Sequence, residues 1–300
     1  MGVRKISIKE VGPRDGLQNE KEIISTEKKI QWIDMLSETG LTYIEVTSFV
    51  SRKWIPQLAD ALEVCKGIKR REGVTYAALV PNLKGLEGAL EANIDEVSVF
   101  MSASETHNRK NINKSIDETI PVLDSVIKDA LAAGKTVRGY ISTVFGCPYE
   151  GSVSVQEVAR ITEKLLEAGV YEVSLGDTIG IANPAQVERL LGELERHFNK
   201  DMFALHFHDT RGMGLANVLR SVDMGFDRFD SSLGGLGGCP YAPGATGNVA
   251  TDDLVYMLEA MGCLTGIDLD TLKASAYYIQ NQLRKQLRSH QMQITKTVHV

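Results

Sequence analysis

The stretch Ser154–Gly180, SVQEVARITEKLLEAGVYEVSLGDTIG, contains the unit from which the fold is predicted. Apolar residues recur at helical spacing over Val155–Ala168, and Ser154 stands before them as a typical helix cap. Gly169 suits a left-handed helix end, and Tyr171–Leu175 then has the β-branched, alternating pattern of a strand. A helix that stops at glycine and leads directly into a strand is the building unit of α/β folds.

The same unit recurs along all 300 residues. Strand patterns occur at Lys5–Val11, Tyr43–Thr47, Thr75–Val80, Glu96–Met101, Thr136–Thr143, Tyr171–Leu175, Phe203–Phe207 and Arg228–Ser231. Helical patterns between them include Thr26–Thr39, Ile116–Ala133, Val155–Ala168 and Pro184–Phe198. Eight strand–helix units predict a (β/α)8 TIM barrel, an α/β fold. The alternative is a doubly wound open sheet, which does not explain eight similar units.

The domain prediction is a single catalytic barrel over residues 1–290, with an additional C-terminal helical segment at Asp268–Ser289 and a flexible tail at 291–300. The chain is 43% hydrophobic, which is ample for one large core. Its net charge is −6 and no basic stripe with interleaved aromatics occurs, so nucleic acid is not an expected partner. No apolar run is long enough for a membrane span, and we expect no membrane association.

Four cysteines occur, Cys65, Cys147, Cys239 and Cys263, and none forms a C-x-x-C pair. This usage is typical of a reducing compartment and predicts no structural zinc site. The N-terminal residues run directly into the first strand pattern, without the features of a signal or transit peptide. We therefore expect a cytoplasmic protein. Cys65 and Cys263 are interpreted as buried packing residues of helices.

Unusual polar residues follow the ends of the predicted strands. They are Gly12–Gly16 after the first strand, Glu45 in the second, Ser102–Asn111 after the fourth, Gly176–Thr178 after the sixth, His206–Asp209 at the seventh, and Gly234–Cys239 with Asn248 after the eighth. In a barrel, all these positions open on one face, where active sites are built. Their convergence predicts a site at that face.

His206 and His208 form an H-x-H pair at the end of a strand, so both imidazoles project to the same side. Asp15, after the first strand, could add a carboxylate oxygen. The alternative is two hydrogen-bonded core histidines, which the neighbouring acids make less favoured. Two imidazoles with hard oxygen ligands predict a divalent cation, Mg²⁺ or Mn²⁺, with Zn²⁺ as a further option.

Arg14 lies in a turn between Pro13 and Gly16, and its guanidinium suits an oxyanion, although a surface salt-bridge turn is the alternative. Glu45 and Asp177 lie on or after strands that should be buried, so each is either functional or a hydrogen-bond anchor. The glycine-rich, proline-containing loop around Cys239 has the composition of an active-site cover.

These motifs resemble the metal-dependent lyase and Claisen-type synthase barrels, and within them the hydroxymethylglutaryl-CoA lyases. The resemblance covers nearly the whole chain. It is carried by GPRDGLQNE at Gly12–Glu20, EVTSFVS at Glu45–Ser51, SLGDTIG at Ser174–Gly180, HFHDTRG at His206–Gly212 and SSLGGLGGCPYAPGATGNVATDDLVYML at Ser231–Leu258. Where relatives often have Glu, this chain has Asp252, whose shorter side chain is expected to weaken a loop or helix contact.

The resemblance implies cleavage of (S)-3-hydroxy-3-methylglutaryl-CoA to acetyl-CoA and acetoacetate, a homodimer, and a place in leucine degradation and ketone-body metabolism. It assigns metal ligation to Asp15, His206, His208 and Asn248, and it assigns substrate binding and enolate stabilisation to Arg14. Glu45 and Asp177 match acidic residues of the family's active site, and Cys239 matches its loop cysteine. Asp15, His206 and Glu45 all remain candidate bases for the C3 hydroxyl, and Cys239 is the candidate acid.

Three alternatives stay open at this point. A lyase for a bulkier 3-hydroxy-3-alkylglutaryl-CoA fits the same residues. A condensing synthase fits less well, because Gly12-Pro13 before Arg14 and the Cys239 loop are unlike those enzymes. A non-catalytic barrel would have lost some of the proposed ligands, yet all are present. A Schiff-base aldolase is disfavoured, since no lysine stands out at a strand end.

Overall fold

The computed structural model describes residues 4–238 and 247–294, and it shows one closed barrel of parallel strands. The strands are β1 (Ser7–Glu10), β2 (Tyr43–Ser48), β3 (Thr75–Leu79), β4 (Glu96–Ser102), β5 (Thr136–Ser142), β6 (Glu172–Gly176), β7 (Phe203–His206) and β8 (Arg228–Ser231). Each strand pairs with the next, and β8 closes the barrel by pairing with β1. The predicted TIM barrel is confirmed, with strand ends that differ from the predicted ones by one or a few residues.

Helices cover the outside of the barrel. They are α1 (Thr26–Ser37), α2 (Ala61–Gly67), α3 (Leu83–Glu91), α4 (Glu105–Ile112), α5 (Ile116–Ala132), α6 (Val155–Ala168), α7 (Pro184–Leu194), α8 (Gly214–Asp223), α9 (Thr251–Ala260), α10 (Leu269–Leu283) and α11 (His290–Gln293). The capping signals work as expected: Ser154 Oγ accepts from the backbone of Glu157 at 3.1 Å, and Gly169 ends α6 with φ of 107°.

The C-terminal segment packs against α9 and α1, the helices of the last and first strand–helix units. The predicted helix at 268–289 is α10, which ends earlier because Arg284 adopts the left-handed conformation with φ of 51°. The first residues after 290 are packed rather than extended into solvent, since Gln291 N donates to Asp253 Oδ1 at 2.8 Å and Met292 is buried. Residues 295–300 of the predicted tail lie outside the described residues.

The cysteine interpretation holds for only one of its two residues. Cys65 is buried in α2, where apolar neighbours surround it. Cys263 follows the turn after α9 and packs against the core, but it is partly exposed and not helical, so predicting a fully buried helical residue was wrong. The apolar spacing continues past Ala260, but Gly262 breaks the helix with φ of 79°. Within the described ranges, no helix combines the length and the apolar character that crossing a bilayer requires.

Candidate active site at the mouth of the barrel

A π-helical turn at Gly12–Gly16 follows β1 and directs Arg14 and Asp15 towards the barrel mouth. The backbone N–H groups of Arg14, Asp15 and Gly16 all point at the carbonyl of Val11, at 3.1, 2.7 and 3.3 Å. Such turns are rare and concentrate at functional sites. A Cβ on Gly12 would lie 2.5 Å from Glu10 Oε1, so a larger residue here would displace the Glu10 carboxylate.

Arg14 is buried, with 6% of its surface exposed, which excludes the surface salt-bridge alternative. Its Nε donates to Glu45 Oε2 at 2.5 Å, and its Nη1 donates to Asp15 Oδ1 at 2.5 Å. Burial lowers the pKa of Arg14, but Glu45 and Asp15 outweigh it and raise that pKa. Burial raises the pKa of Glu45 despite the facing guanidinium, and Glu45 Oε1 has no hydrogen-bond partner within the described residues. Arg14 is therefore a fixed positive charge beside a carboxylate with a free oxygen.

Asp15, His206 and His208 form a cluster in which the candidate ligand atoms all lie within 4.8 Å of one another. His206 is the last residue of β7, and the rings of His206 and His208 are 5.4 Å apart between centroids. Asn248 joins them because His208 and Asn248 form an isolated antiparallel bridge. Asn248 Nδ2 donates to Asp15 Oδ2 at 2.8 Å. All four predicted ligands thus come together.

The orphaned atoms of this cluster fit a cation. His208 Nδ1 and Asn248 Oδ1 are buried and have no hydrogen-bond partner in the described parts of the chain, which is costly unless something else binds them. Burial lowers the pKa of His208 to about 4, so its imidazole is neutral at pH 7. Burial raises the pKa of Asp15, but Arg14 and the two histidines outweigh it and lower that pKa to about 2. Both groups are in the protonation state that binds a metal.

Asp177 has a different environment from the cluster. Its two oxygens accept from the backbone N–H groups of Ile181 and Ala182, at 3.0 and 3.2 Å, and so fix the loop after β6. Burial raises the pKa of Asp177 to about 6, against the effect of these two bonds. These contacts favour the structural interpretation of this residue, as an anchor of its loop.

Cys239 lies outside the described residues, so its place relative to the cluster stays a prediction. The turn that precedes it is well held. Gly234 N donates to Asp252 Oδ1 at 3.0 Å, and Ser289 Oγ donates to Asp252 Oδ2. Asp252 thus contacts both the loop and the C-terminal segment, and the expected weakening relative to Glu stays a prediction.

Sequence reasoning missed three buried polar residues beneath the cluster. Asp230 on β8 lies 3.2 Å from His206 Nδ1, and Arg138 Nη2 on β5 donates to Asp230 Oδ1 at 2.6 Å. The ring of Tyr140 lies 5.4 Å from the guanidinium carbon of Arg14, and its hydroxyl has no partner within the described residues. The argument that singled out Glu45, a charge on a buried strand, applies equally to Asp230 and Arg138 and would have found them.

Comparisons of sequence and of structure match this chain to the same kind of protein over nearly its whole length. The HMGL-like family profile matches residues 5–279. Hydroxymethylglutaryl-CoA lyase YngG of Bacillus subtilis (strain 168) is 58% identical over 98% of this chain and 98% of its own length. The crystal structure of the Bacillus subtilis HMG-CoA lyase matches with a TM-score of 0.96 at 58% identity, covering 98% of this chain and 99% of that one. An HMG-CoA lyase from Acinetobacter baumannii, in complex with coenzyme A and 3-methylmalate, matches with a TM-score of 0.93 at 41% identity, covering 99% of this chain and 97% of that one.

Proposed function

This chain belongs to the HMGL-like family, and we infer that it is a carbon–carbon lyase that cleaves (S)-3-hydroxy-3-methylglutaryl-CoA to acetyl-CoA and acetoacetate. The observation that carries the inference is the meeting of Arg14, Asp15, His206, His208 and Asn248 at one end of the barrel. An acyl-CoA substrate is supported by the relative solved with coenzyme A. The lyase relatives disfavour the condensing synthase, and the accepted size of the C3 alkyl group is left to assay.

The reaction is a retro-Claisen cleavage. The C3 hydroxyl loses its proton, the C2–C3 bond breaks, and its electron pair forms an enolate of the thioester, whose carbon is then protonated. We propose that Asp15, His206, His208 and Asn248 hold a divalent cation, Mg²⁺ or Mn²⁺ with Zn²⁺ as an alternative. Such an ion supplies Lewis-acid polarisation of substrate oxygens.

Arg14 is proposed to stabilise the enolate oxygen. Its guanidinium is buried and fixed by two carboxylates, so it needs no reorganisation when negative charge develops at the thioester. Of the candidate bases, Asp15 is the weakest, because its pKa is about 2. Glu45 has a raised pKa and a free Oε1, which favours it over Asp15 as the base. His206, the other candidate, would have no free nitrogen for this role while Nε2 ligates the cation and Nδ1 donates to Asp230. Asp177 is proposed to act on this reaction only through the loop that it anchors.

Cys239 is proposed as the acid that protonates the enolate carbon, since a thiol can serve in that role. Its position in the glycine-rich loop after β8 supports this. Cys239→Ala should lose turnover while it keeps Mn²⁺ binding. Unchanged turnover would make Cys239 a packing residue.

Location and assembly are further parts of the proposal. Cys65, Cys147 and Cys263 are free thiols, which is typical of a reducing compartment and supports a cytoplasmic protein. We propose a homodimer, as the family resemblance implies, which light scattering at assay concentration tests. A role in leucine degradation and ketone-body metabolism would follow from the acetoacetate and acetyl-CoA products.

The decisive experiment follows acetoacetate release from 3-hydroxy-3-methylglutaryl-CoA by protein treated with excess EDTA, before and after addition of Mg²⁺ or Mn²⁺. We expect activity to disappear and to return with the ion. In parallel, His208→Ala should lose Mn²⁺ binding measured by electron paramagnetic resonance, while exposed Arg160→Gln should keep it. Full activity in EDTA would contradict the metal site, and acetoacetate absent under every condition would contradict the lyase reaction.

A further inference from the structure

We propose that Asp230 is a positioning residue that fixes the ring of His206 as a metal ligand by accepting its Nδ1–H, with Arg138 and Glu172 holding Asp230 in place from below. This inference rests on the metal site proposed above. It concerns residues deeper in the barrel than the cluster at the mouth. We call His206, Asp230, Arg138 and Glu172 the barrel ladder.

The register of the strands brings the first two members together. His206 on β7 and Asp230 on β8 are paired residues, so their side chains point to the same face of the barrel wall. His206 Nδ1 lies 3.2 Å from Asp230 Oδ2, and the Asp230 side chain is fully buried. Ser174 on β6 donates its hydroxyl to the same Oδ2 at 2.7 Å.

Arg138 holds the Asp230 carboxylate, and Glu172 in turn holds Arg138. The buried guanidinium of Arg138 donates through Nη2 to Asp230 Oδ1 at 2.6 Å and through Nε to Glu172 Oε1 at 2.6 Å. Its fork of donors therefore spans two strands and fixes the direction of both carboxylates. Asp230 cannot rotate away from His206 without breaking a buried ion pair.

This arrangement decides which tautomer His206 adopts. An ionised carboxylate can only accept hydrogen bonds, so the proton of the neutral imidazole lies on Nδ1 and the lone pair lies on Nε2. Nε2 is the nitrogen that faces the cluster, 4.0 Å from Asp15 Oδ2. A carboxylate behind a ligating histidine commonly sets both ring orientation and basicity in metal sites.

The first test needs no variant beyond one for assignment. Long-range proton–nitrogen spectra of metal-free, histidine-labelled protein report the tautomer of each ring, and His206→Gln identifies the signals of His206. We expect the Nδ1–H tautomer. A proton on Nε2 would overturn the proposal, even if the metal site itself is correct.

The second test measures the Kd for Mn²⁺ by electron paramagnetic resonance. Asp230→Asn should bind Mn²⁺ about 10–100-fold more weakly than wild type. Glu96→Gln is the matched control: Glu96 is also a buried carboxylate on a strand, but its partners are Tyr43 and Thr136, and its affinity should stay at the wild-type value. Melting temperatures of both variants separate a general loss of stability from a specific loss of affinity.

Asp230→Asn leaves Arg138 with one acid fewer and can fail to fold. In that case Ser174→Ala carries the test, because it removes one hydrogen bond to Asp230 Oδ2 and keeps every charge. We then expect a smaller loss of Mn²⁺ affinity in the same direction. Wild-type affinity in the folded variants would overturn the ladder's role, whereas absence of Mn²⁺ binding to wild-type protein would overturn the proposed metal site.

Discussion

The two ends of the barrel both bury charges, but they treat them differently. At the end where the strands begin, both oxygens of Glu96 accept hydrogen bonds, from Tyr43 and Thr136, and Glu172 is paired with Arg138 and Lys9. The carboxylates of the barrel floor are therefore paired, although Arg138 Nη1 has no hydrogen-bond partner within the described residues.

At the mouth, three buried acceptor atoms lack partners within the described residues: Glu45 Oε1, His208 Nδ1 and Asn248 Oδ1. Unpaired buried acceptors are expensive and persist where a ligand completes them. The difference teaches that burial of a charge does not by itself mark a site. Single unpaired oxygens also occur elsewhere, as at Asn217, and what marks the mouth is that several lie together where a cation and a substrate would satisfy them.

Arg138→Met, at the floor of the barrel, should cause the largest loss of stability. Removing this guanidinium leaves Asp230 and Glu172 buried without their main partner, which typically costs about 3–5 kcal/mol. Urea unfolding measures the loss. Lys66→Met, which removes an exposed pair with Glu91, is the control and should change stability by about 0–1 kcal/mol. Equal losses of stability in the two variants would mean that the buried ion pairs of Arg138 are no more important than an exposed pair.

Arg14→Gln, at the mouth of the barrel, should lose activity and keep its stability. Turnover should fall about 10²–10³-fold, because one fixed donor to the developing enolate is lost. The fold should survive, since Glu45 can take up a proton once its partner is gone. Steady-state kinetics and urea unfolding of the same preparation test both halves. Wild-type turnover would refute the enolate role of Arg14.

Glu10→Gln should reduce the dependence of stability on pH. Burial raises the pKa of Glu10 to about 7, against hydrogen bonds from Thr251, Leu233 and Gly12. A raised carboxyl pKa means that the fold favours the protonated form, so its contribution to stability is present at low pH and is lost as pH rises from about 4.5 to about 7. The wild type should lose on the order of 1–3 kcal/mol more than the variant over that range.

Urea unfolding of both proteins at pH 5 and pH 7.5 gives the comparison. Parallel pH dependence of wild type and variant would mean that Glu10 does not titrate in this range. Glu10 is a suitable probe because it lies at the mouth but has both oxygens paired: it joins the turn after β1 to the turn after β8 and accepts a hydrogen bond from Thr251.

The sequence was sufficient for the strand number, the barrel and the pairing of His206 with His208, since period and spacing are local properties. The meeting of Arg14 and Asp15 with those histidines followed from the fold, because all strand ends of a barrel face one way. Asn248 had no local signal and was named through family resemblance. Its bridge with His208 is a long-range contact.

Asp230, Arg138 and Glu172 could have been noted from the sequence as charges on buried strands, but their pairing could not have been predicted. Whether a charge on a strand is paired depends on which residues lie beside it on neighbouring strands. Arg138 on β5 reaches Glu172 on β6 and, across the barrel, Asp230 on β8, which no spacing along the chain encodes. Cys263 was misread because Gly262 ends a helix whose apolar pattern runs on.

Asp252 connects the C-terminal segment to the turn after β8, at the mouth of the barrel. Arg288 N donates to the carbonyl of Gly234 at 3.3 Å, and Ser289 shares Asp252 with the N–H of the same glycine. The turn at Gly234, which precedes Cys239 in the sequence, is thus hydrogen-bonded to residues that follow the eighth strand–helix unit. A protein truncated after α10 would keep every proposed metal ligand. It would lose the contacts of Arg288 and Ser289 that hold the turn at Gly234.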